Sequence, residues 1–222
     1  MTVTRGKRHV FLGMEILYKK DGTVHVKMKE HIKDAIDGFK DDITKSVVTP
    51  ATRDLLEVDE DSPKLSIKDS ENYHSTTAKL LYISMRARMD ILLAVAFLCT
   101  RVSCCDKDDW RKLKRVLQYL YGTMDDSLII GADSMQKMCT WVDASYAVHP
   151  DMKSHTGGVI SFGRGALFSK STKQKLNTKS STEAELVGAS DYLPSTIWAM
   201  LLLKAQGYNM EESKFFQDNQ ST

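Results

Sequence analysis

The chain has 222 residues, of which 42% are hydrophobic and 27% are charged, and its formal net charge is +2. This length can bury a sizeable core, and the near-average composition excludes a chain that is disordered throughout. The small net charge gives no overall signal for nucleic acid, so any such signal must be local. Four cysteines without a CxxC motif indicate free thiols in a reducing compartment. The apolar stretch 91–99 is far shorter than the roughly 20 residues of a membrane span, and we expect an intracellular protein with no membrane partner.

The first third of the chain combines strand, turn and helix signals. Residues 9–16 and 23–28 are strand-like runs, and Asp21-Gly22 between them is a strong hairpin signal. Apolar residues three or four apart predict a helix over 29–39. Two prolines and an acidic run follow, and they predict a largely irregular connection over 40–72.

The middle of the chain has helical spacing. Residues 73–102 carry apolar side chains at that spacing, with a polar break at 86–88. Asp106 is placed to cap a further helix that extends to Gly122. Residues 73–123 therefore form a small helical unit.

The pattern changes to strands near Leu128. A helix begins at about Ser181, is predicted to break near Pro194, and resumes to residue 206. The order of these elements predicts an α+β fold, a mixed sheet with helix on one face. Short strands are predicted at 127–131, 138–142, 157–162, 166–169 and 213–217.

Three acidic residues stand out by their position in these elements. Asp143 ends one predicted strand, Asp218 ends another, and Glu185 lies in the first turns of the helix between them. Carboxylates at strand ends and at a helix start can meet at one edge of a sheet. Mg²⁺ takes oxygen ligands, and two such ions about 4 Å apart can promote phosphodiester cleavage. Taken alone, each acid is more often a helix cap or a surface charge.

A basic, hydroxyl-rich stretch lies between two of these acids. Residues 152–182 contain six Lys or Arg residues and no Asp or Glu. Basic side chains near hydroxyls are what phosphate contacts require, and the alternative is a solvated strand and turn. The candidate nucleic-acid-binding residues are Lys170, Lys173, Lys175, Lys179 and Ser181.

Five motifs in this region, in this order, resemble the ribonuclease H domain of Ty1/copia-type retrotransposon polyproteins. They are WVDAS at 141–145, HTGGVI at 155–160, SKSTKQ at 169–174, SSTEAEL at 180–186 and DNQS at 218–221. Upstream, FLGME at 11–15 and residues 73–101 and 110–123 resemble the reverse transcriptase thumb and connection of the same polyprotein. The resemblance therefore covers nearly the whole chain.

The resemblance implies a ribonuclease H-like mixed sheet and a function. Asp143, Glu185 and Asp218 would bind Mg²⁺, with Mn²⁺ as a substitute, and cleave the RNA strand of an RNA–DNA hybrid. Glu185 rather than Glu183 matches the catalytic glutamate of the family. The expected partners are the hybrid and the rest of the polyprotein, including the reverse transcriptase palm and integrase. The expected location is a cytoplasmic retroelement particle with a nuclear phase.

The resemblance also defines three parts and some departures. The parts are a reverse transcriptase hairpin, helix and linker (1–72), a helical thumb and connection (73–126), and an incomplete ribonuclease H-like domain (127–222). Enzymes of this type usually carry a fourth acid on a later segment, which we expect to be absent here together with the final helix. The polymerase palm is expected before residue 1.

Several alternatives compete with the nuclease hypothesis. The fragment could be a catalytically inert nucleic-acid-binding remnant of a retroelement, or a transposase-like or integrase-like nuclease. The latter enzymes order their acids Asp, Asp, Glu, which differs from the order here. Asp125 and Asp126 look superficially like a polymerase motif but are predicted to lie in a turn. His149 and His155 are predicted to bracket a solvated turn, with a role in proton transfer as the less favoured interpretation.

Overall fold

The computed structural model describes residues 5–218, and these form two compact units. The first unit comprises residues up to 18 together with 25–128, and the second comprises 19–24 together with residues from 129 onward. The predicted domain limits at 72 and 126 divide the chain more finely and stay predictions. Of the motif at 218–221, residues 219–221 lie outside the described part of the chain.

The first unit begins with a β-hairpin where the sequence predicts one strand over 9–16. Its strands are β1 (Arg8–Phe11) and β2 (Met14–Tyr18), which pair antiparallel, and β3 (Val24–Lys27) follows. The prediction is wrong because Leu12 and Gly13 both have positive φ, 51° and 75°. A leucine in the left-handed region is rare, and the alternation of residue types does not reveal it.

Four helices and one short 3-10 turn form the helical part of this unit. Helix α1 contacts α2 and α4, and α3 also contacts both α2 and α4. Fully buried side chains such as Tyr73, Phe97 and Leu117 fill the space between the helices. The elements are α1 (Lys29–Asp37), α2 (Ile67–Ser84), the 3-10 turn (Met89–Ile91), α3 (Leu92–Arg101) and α4 (Lys107–Gly122).

Side-chain caps fix where two of these helices begin. Asp106 accepts hydrogen bonds from the backbone N–H groups of Asp108 and Asp109, so the predicted cap of α4 is confirmed. Ser66 Oγ accepts a hydrogen bond of 3.2 Å from the backbone N–H of Asp69. This second cap starts α2 at Ile67, so the irregular connection ends earlier than the predicted residue 72.

The second unit is built on a four-stranded mixed sheet with the order β8-β6-β5-β9. The central pair β5–β6 and the pair β6–β8 are antiparallel, whereas β5 and β9 are parallel. Two further short strands, β4 and β7, pair with each other. The strands are β4 (Leu128–Ala132), β5 (Lys137–Ser145), β6 (His155–Ser161), β7 (Gly163–Arg164), β8 (Phe168–Lys173) and β9 (Glu212–Phe216).

Strand β8 shows where the sequence pattern fails. The predicted strand over 166–169 overlaps β8 only at its first two residues. The other four residues of β8 have the sequence Lys-Ser-Thr-Lys, which lacks the apolar alternation of a half-buried strand. Its pairing with β6, from Ile160 opposite Phe168 to His155 opposite Lys173, makes this polar segment a strand.

One long helix, α5 (Ser181–Ala205), packs on the sheet against β5 and β6. The predicted break near Pro194 is wrong, because the helix continues through it. A proline inside a helix removes one backbone donor, at a substantial cost in free energy. The neighbours Tyr192 and Thr196 are buried against the sheet, and Thr196 Oγ1 lies 3.1 Å from Thr140 Oγ1. These contacts hold the helix together on both sides of the proline.

Helix α5 also has an exposed apolar face. Its 25 residues include an 18-residue window with a mean hydropathy of 1.3, so within residues 5–218 it alone passes the length and composition test for a membrane span. Only 17% of that window is buried. Its opposite face packs on the sheet, as a core helix of a globular domain does, so length and composition are weak evidence for a membrane.

The two adjacent glycines of β6 provide a matched test of this packing. A Cβ at Gly158 would lie 2.5 Å from the Tyr192 ring, whereas a Cβ at Gly157 would meet nothing within 4 Å. We expect Gly158→Ala to lower the free energy of unfolding by about 1–3 kcal/mol, the usual cost of overpacking. Gly157→Ala should leave it unchanged or raise it slightly, because alanine reduces the entropy of the unfolded chain. Urea unfolding of both variants checks this, and equal effects would contradict the packing of α5 on β6.

Candidate metal centre

The parallel pairing of β5 and β9 brings two aspartates to one edge of the sheet. Trp141 lies opposite Phe216 in the register, and each is followed two residues later by an aspartate, Asp143 and Asp218. Parallel strands end on the same side, so these two carboxylates meet. One carboxylate oxygen from each of Asp143, Glu185 and Asp218 lies within 4.8 Å of the other two. The structure thus gathers the three acids that the sequence singles out.

Glu185 reaches this edge from the second turn of α5. The N-cap Ser180 starts the helix, and its Oγ accepts a hydrogen bond of 3.1 Å from the backbone N–H of Glu183. Glu185 is 6% exposed, whereas Asp143 and Asp218 are exposed. The cluster of three carboxylates therefore has one buried member and two exposed ones.

Two donors hold the carboxylate of Glu185. The backbone N–H of Ala144 donates to Oε1 at 3.1 Å, and the side-chain amide of Gln217 donates to Oε2 at 3.2 Å. Each donor is the chain neighbour of one of the two aspartates. Glu185 is thereby tied to both strands that carry the other acids.

The electrostatics of the cluster suit a divalent cation. Burial raises the pKa of Glu185, and the nearby charges of Asp143 and Asp218 raise it further, against the opposing effect of the two hydrogen bonds. Converging carboxylates repel one another, and a hard cation with oxygen ligands relieves that repulsion. The donor set therefore fits Mg²⁺ or Mn²⁺, both of which accept carboxylate ligands.

Glu183 has a different role from Glu185, as the sequence indicates. Its carboxylate Oε2 accepts a hydrogen bond of 2.6 Å from the backbone N–H of Lys179. Together with the Ser180 cap, this contact satisfies two donors at the start of α5. Glu183 therefore stabilises the helix N-terminus, and Glu185 supplies the carboxylate at the site.

A groove with an aromatic wall adjoins the carboxylates, and the sequence interpretation missed it. The rings of Trp141 and Phe216 stack with centroids 5.4 Å apart and planes 12° apart, and both side chains are about 40% exposed. Gly157 and Gly158 also line the groove, which has a volume of about 450 Å³ and includes Asp143 and Asp218 in its wall. The repeated pattern of an aromatic residue followed two positions later by aspartate is the signal that could have revealed it.

The candidate nucleic-acid-binding residues lie along β8 and the connection to α5. Lys170 and Lys173 are three positions apart in β8, so they project to opposite faces of the sheet. The ammonium group of Lys173 pairs with Asp151 at 2.7 Å. Lys175 and Lys179 are exposed in the connection, and Ser181 is the first residue of α5. These residues are therefore close together in the sequence, but the structure does not place them on one face.

The two histidines near the site are buried, so the prediction of a solvated turn is wrong. His149 and His155 are 3% and 5% exposed, and Nε2 of His149 lies 3.0 Å from Nδ1 of His155. Nε2 of His155 lies 2.7 Å from Ser171 Oγ. Burial lowers the pKa of His155 to about 4, so this imidazole is neutral at pH 7. The pair tethers the loop after β5 to β8.

The aspartates after α4 lie in a turn, as the sequence predicts. Helix α4 ends at Gly122, and the exposed carboxylate of Asp125 pairs with Lys29 at 2.7 Å. Within residues 5–218, the three-acid cluster of Asp143, Glu185 and Asp218 is the group with metal-binding geometry, and Asp125 is not part of it.

Comparison with known proteins gives consistent relatives at modest identity. No family model matches the chain. It is 28% identical, over 97% of its length, to the retrovirus-related Pol polyprotein from transposon TNT 1-94 of Nicotiana tabacum. It is 28% identical, over 84% of its length, to the putative transposon Ty5-1 protein of Saccharomyces cerevisiae. A retrovirus-related Pol polyprotein from transposon RE2 of Arabidopsis thaliana matches 91% of the chain, again at 28% identity.

The architecture, a mixed α+β sheet with acids gathered at one edge, is consistent with a ribonuclease H-like fold. The homologues of the chain are Ty1/copia-type retrotransposon polyproteins, at modest identity over most of its length, so the resemblance seen in the sequence is confirmed. The chain spans 17% of the tobacco relative, 14% of the Arabidopsis relative and 60% of the yeast one.

Replacing Glu185 tests the charge balance of the cluster. Because the pKa of Glu185 is raised above its ordinary value of 4.5, ionisation is penalised in the folded state. The folded protein therefore loses stability as pH rises from that value through the folded pKa, and the penalty is absent at lower pH. We expect Glu185→Gln to melt at a higher temperature than wild type at pH 7 without metal, with the difference vanishing near pH 4, and to bind Mg²⁺ more weakly.

Asp191→Asn serves as the control, because Asp191 is an exposed acid on the same helix outside the cluster. Calorimetric scans between pH 4 and pH 7 and Mg²⁺ titrations check both effects. A lowered melting temperature with unchanged Mg²⁺ affinity would contradict the assignment of Glu185 to the cluster.

Proposed function

We propose that this chain is the ribonuclease H part, with attached thumb and connection elements, of a retroelement polyprotein. Its reaction is the Mg²⁺-dependent hydrolysis of the RNA strand of an RNA–DNA hybrid. The observation that carries the proposal is the convergence of Asp143, Glu185 and Asp218, whose oxygens lie within 4.8 Å of one another. The homology to retrotransposon polyproteins supports the retroelement part of the proposal.

The residues of the chain have distinct tasks in this proposal. Asp143 and Asp218 present exposed carboxylates to the groove, and Glu185 completes the set from the buried side. When bound to these carboxylates, Mg²⁺ supplies the Lewis acidity that phosphodiester hydrolysis requires. The hydrogen bonds from Ala144 and Gln217 keep the Glu185 carboxylate in place. A rigid set of ligands reduces the reorganisation needed during the reaction.

The substrate lies across the edge of the sheet in this proposal. The groove beside Asp143 is open above Gly157, where the absence of a side chain lets a sugar–phosphate backbone approach closely. The 2′-hydroxyl is the group by which the site distinguishes RNA from DNA. The exposed Lys175 and Lys179 supply positive charge for phosphates. We propose that the reaction takes place in a cytoplasmic retroelement particle, with the rest of the polyprotein as partner.

Replacing Asp143 tests the activity. We expect Asp143→Asn to lower the rate of cleavage of a labelled RNA–DNA hybrid in Mg²⁺ by about 100-fold or more, because a charged group that acts on the transition state is lost. Asp191→Asn, an exposed aspartate on α5, should cleave at the wild-type rate. Gel analysis of the labelled RNA strand measures both rates.

Other outcomes of this experiment separate the alternatives. Binding of the hybrid without cleavage by wild type would contradict the enzyme and indicate a nucleic-acid-binding remnant. Cleavage of duplex DNA ends would indicate a transposase-like or integrase-like nuclease.

Removing one exposed lysine tests the contact with phosphates. We expect Lys175→Ala to weaken hybrid binding and to reduce the slope of log K against log salt concentration by about one, since each phosphate contact releases about one counterion. Lys173→Ala should have a smaller effect, because its ammonium already pairs with Asp151. Lys204→Ala, near the other end of α5, is the control. Fluorescence anisotropy at several salt concentrations measures the slopes, and an unchanged slope for Lys175→Ala would remove its role.

A further inference from the structure

Gln217 makes a side-chain hydrogen bond to the buried carboxylate of the site, Glu185. Gln217 directly precedes Asp218, yet its side-chain amide donates to Glu185 Oε2 at 3.2 Å, not to the adjacent aspartate. The side chain is partly buried and belongs to the wall of the groove. The amide donor therefore extends from the segment that follows β9 to the buried carboxylate of Glu185.

The position of this donor suits a role in metal binding. Each oxygen of Glu185 already has one protein donor, from Ala144 and from Gln217. A carboxylate oxygen can accept more than one contact, so one lone pair of Oε2 stays available to a cation. Without the amide, only the Ala144 N–H would hold the Glu185 carboxylate against the repulsion of the two aspartates.

We propose that Gln217 is a positioning residue for the metal centre, which it serves by holding Glu185 toward Asp143 and Asp218. This inference rests on the proposed metal site. Groups that hydrogen-bond a metal ligand typically contribute about 10-fold to 100-fold to metal affinity. Gln217 acts through Glu185 and does not itself contact the cation, so its effect depends on the presence of the Glu185 carboxylate.

The first experiment is a double-mutant cycle on Mg²⁺ affinity, measured by calorimetry on the whole chain without nucleic acid. We expect Gln217→Met, which keeps the length of the side chain and removes the amide, to weaken Mg²⁺ binding about 10-fold. In the Glu185→Gln background the same change should have little further effect, because its target is already altered. Gln206→Met, at the exposed end of α5, should leave the affinity unchanged.

The results that would overturn the proposal are specific. An unchanged affinity for Gln217→Met, or equal effects in both backgrounds, would show that Gln217 does not act through Glu185. A lowered melting temperature of the metal-free protein with unchanged affinity would show a purely structural role. If the Met variant does not fold, Gln217→Asn replaces it, because its shorter side chain withdraws the amide from Glu185. A wild-type chain that binds no Mg²⁺ would overturn the proposal together with the metal centre.

A second measurement separates this proposal from the proposed function. In the metal-free protein, the side-chain amide resonance of Gln217 should shift on Glu185→Gln and stay in place on Glu183→Gln, as seen by ¹⁵N-resolved NMR. If the Gln217 amide resonance does not shift with either substitution, the contact with Glu185 is absent, even if the wild-type chain cleaves the hybrid. If the cycle shows coupling between Gln217 and Glu185 in Mg²⁺ binding but the chain does not cleave the hybrid, the role of Gln217 is supported and the proposed ribonuclease activity is contradicted.

Discussion

The mutual repulsion of three carboxylates at one sheet edge is the constraint on which the site depends. Asp143 and Asp218 meet because β5 and β9 are parallel and in register at Trp141 and Phe216. Glu185 joins them from a helix that is fixed by its own cap and by packing on β5. Such an arrangement is unfavourable without a counter-charge, and this supports the proposal that a cation binds at this edge of the sheet.

The surrounding structure holds the acids in place with few groups. The backbone N–H of Ala144 and the side-chain amide of Gln217 donate hydrogen bonds to the Glu185 carboxylate. The Glu183 carboxylate instead accepts a hydrogen bond at the start of the helix. The closely packed Gly158 lets Tyr192 of α5 approach the sheet, whereas the open Gly157 leaves the groove accessible. Adjacent glycines thus serve packing on one side of β6 and access on the other.

The sequence could predict the acids and the type of fold, but not all of their setting. Asp143, Glu185 and Asp218 are recognisable because the sequence predicts each of them at a strand end or in the first turns of a helix. The prediction for Asp143 is wrong in detail, because β5 continues past it to Ser145. The turn at Leu12 was not recognisable, since it needs a rare left-handed leucine, and the continuity of α5 through Pro194 depends on tertiary contacts of Tyr192. The burial of His149 and His155, and the contact of Gln217 with Glu185, likewise depend on residues distant in the chain.

Crystals of the chain soaked in Mn²⁺ would show whether the three acids bind a cation, because the anomalous scattering of Mn²⁺ locates the ion. We predict an anomalous peak bound by the carboxylate oxygens of Asp143, Glu185 and Asp218. A fully loaded crystal with manganese bound only elsewhere, and with these three carboxylates turned away from one another, would contradict it.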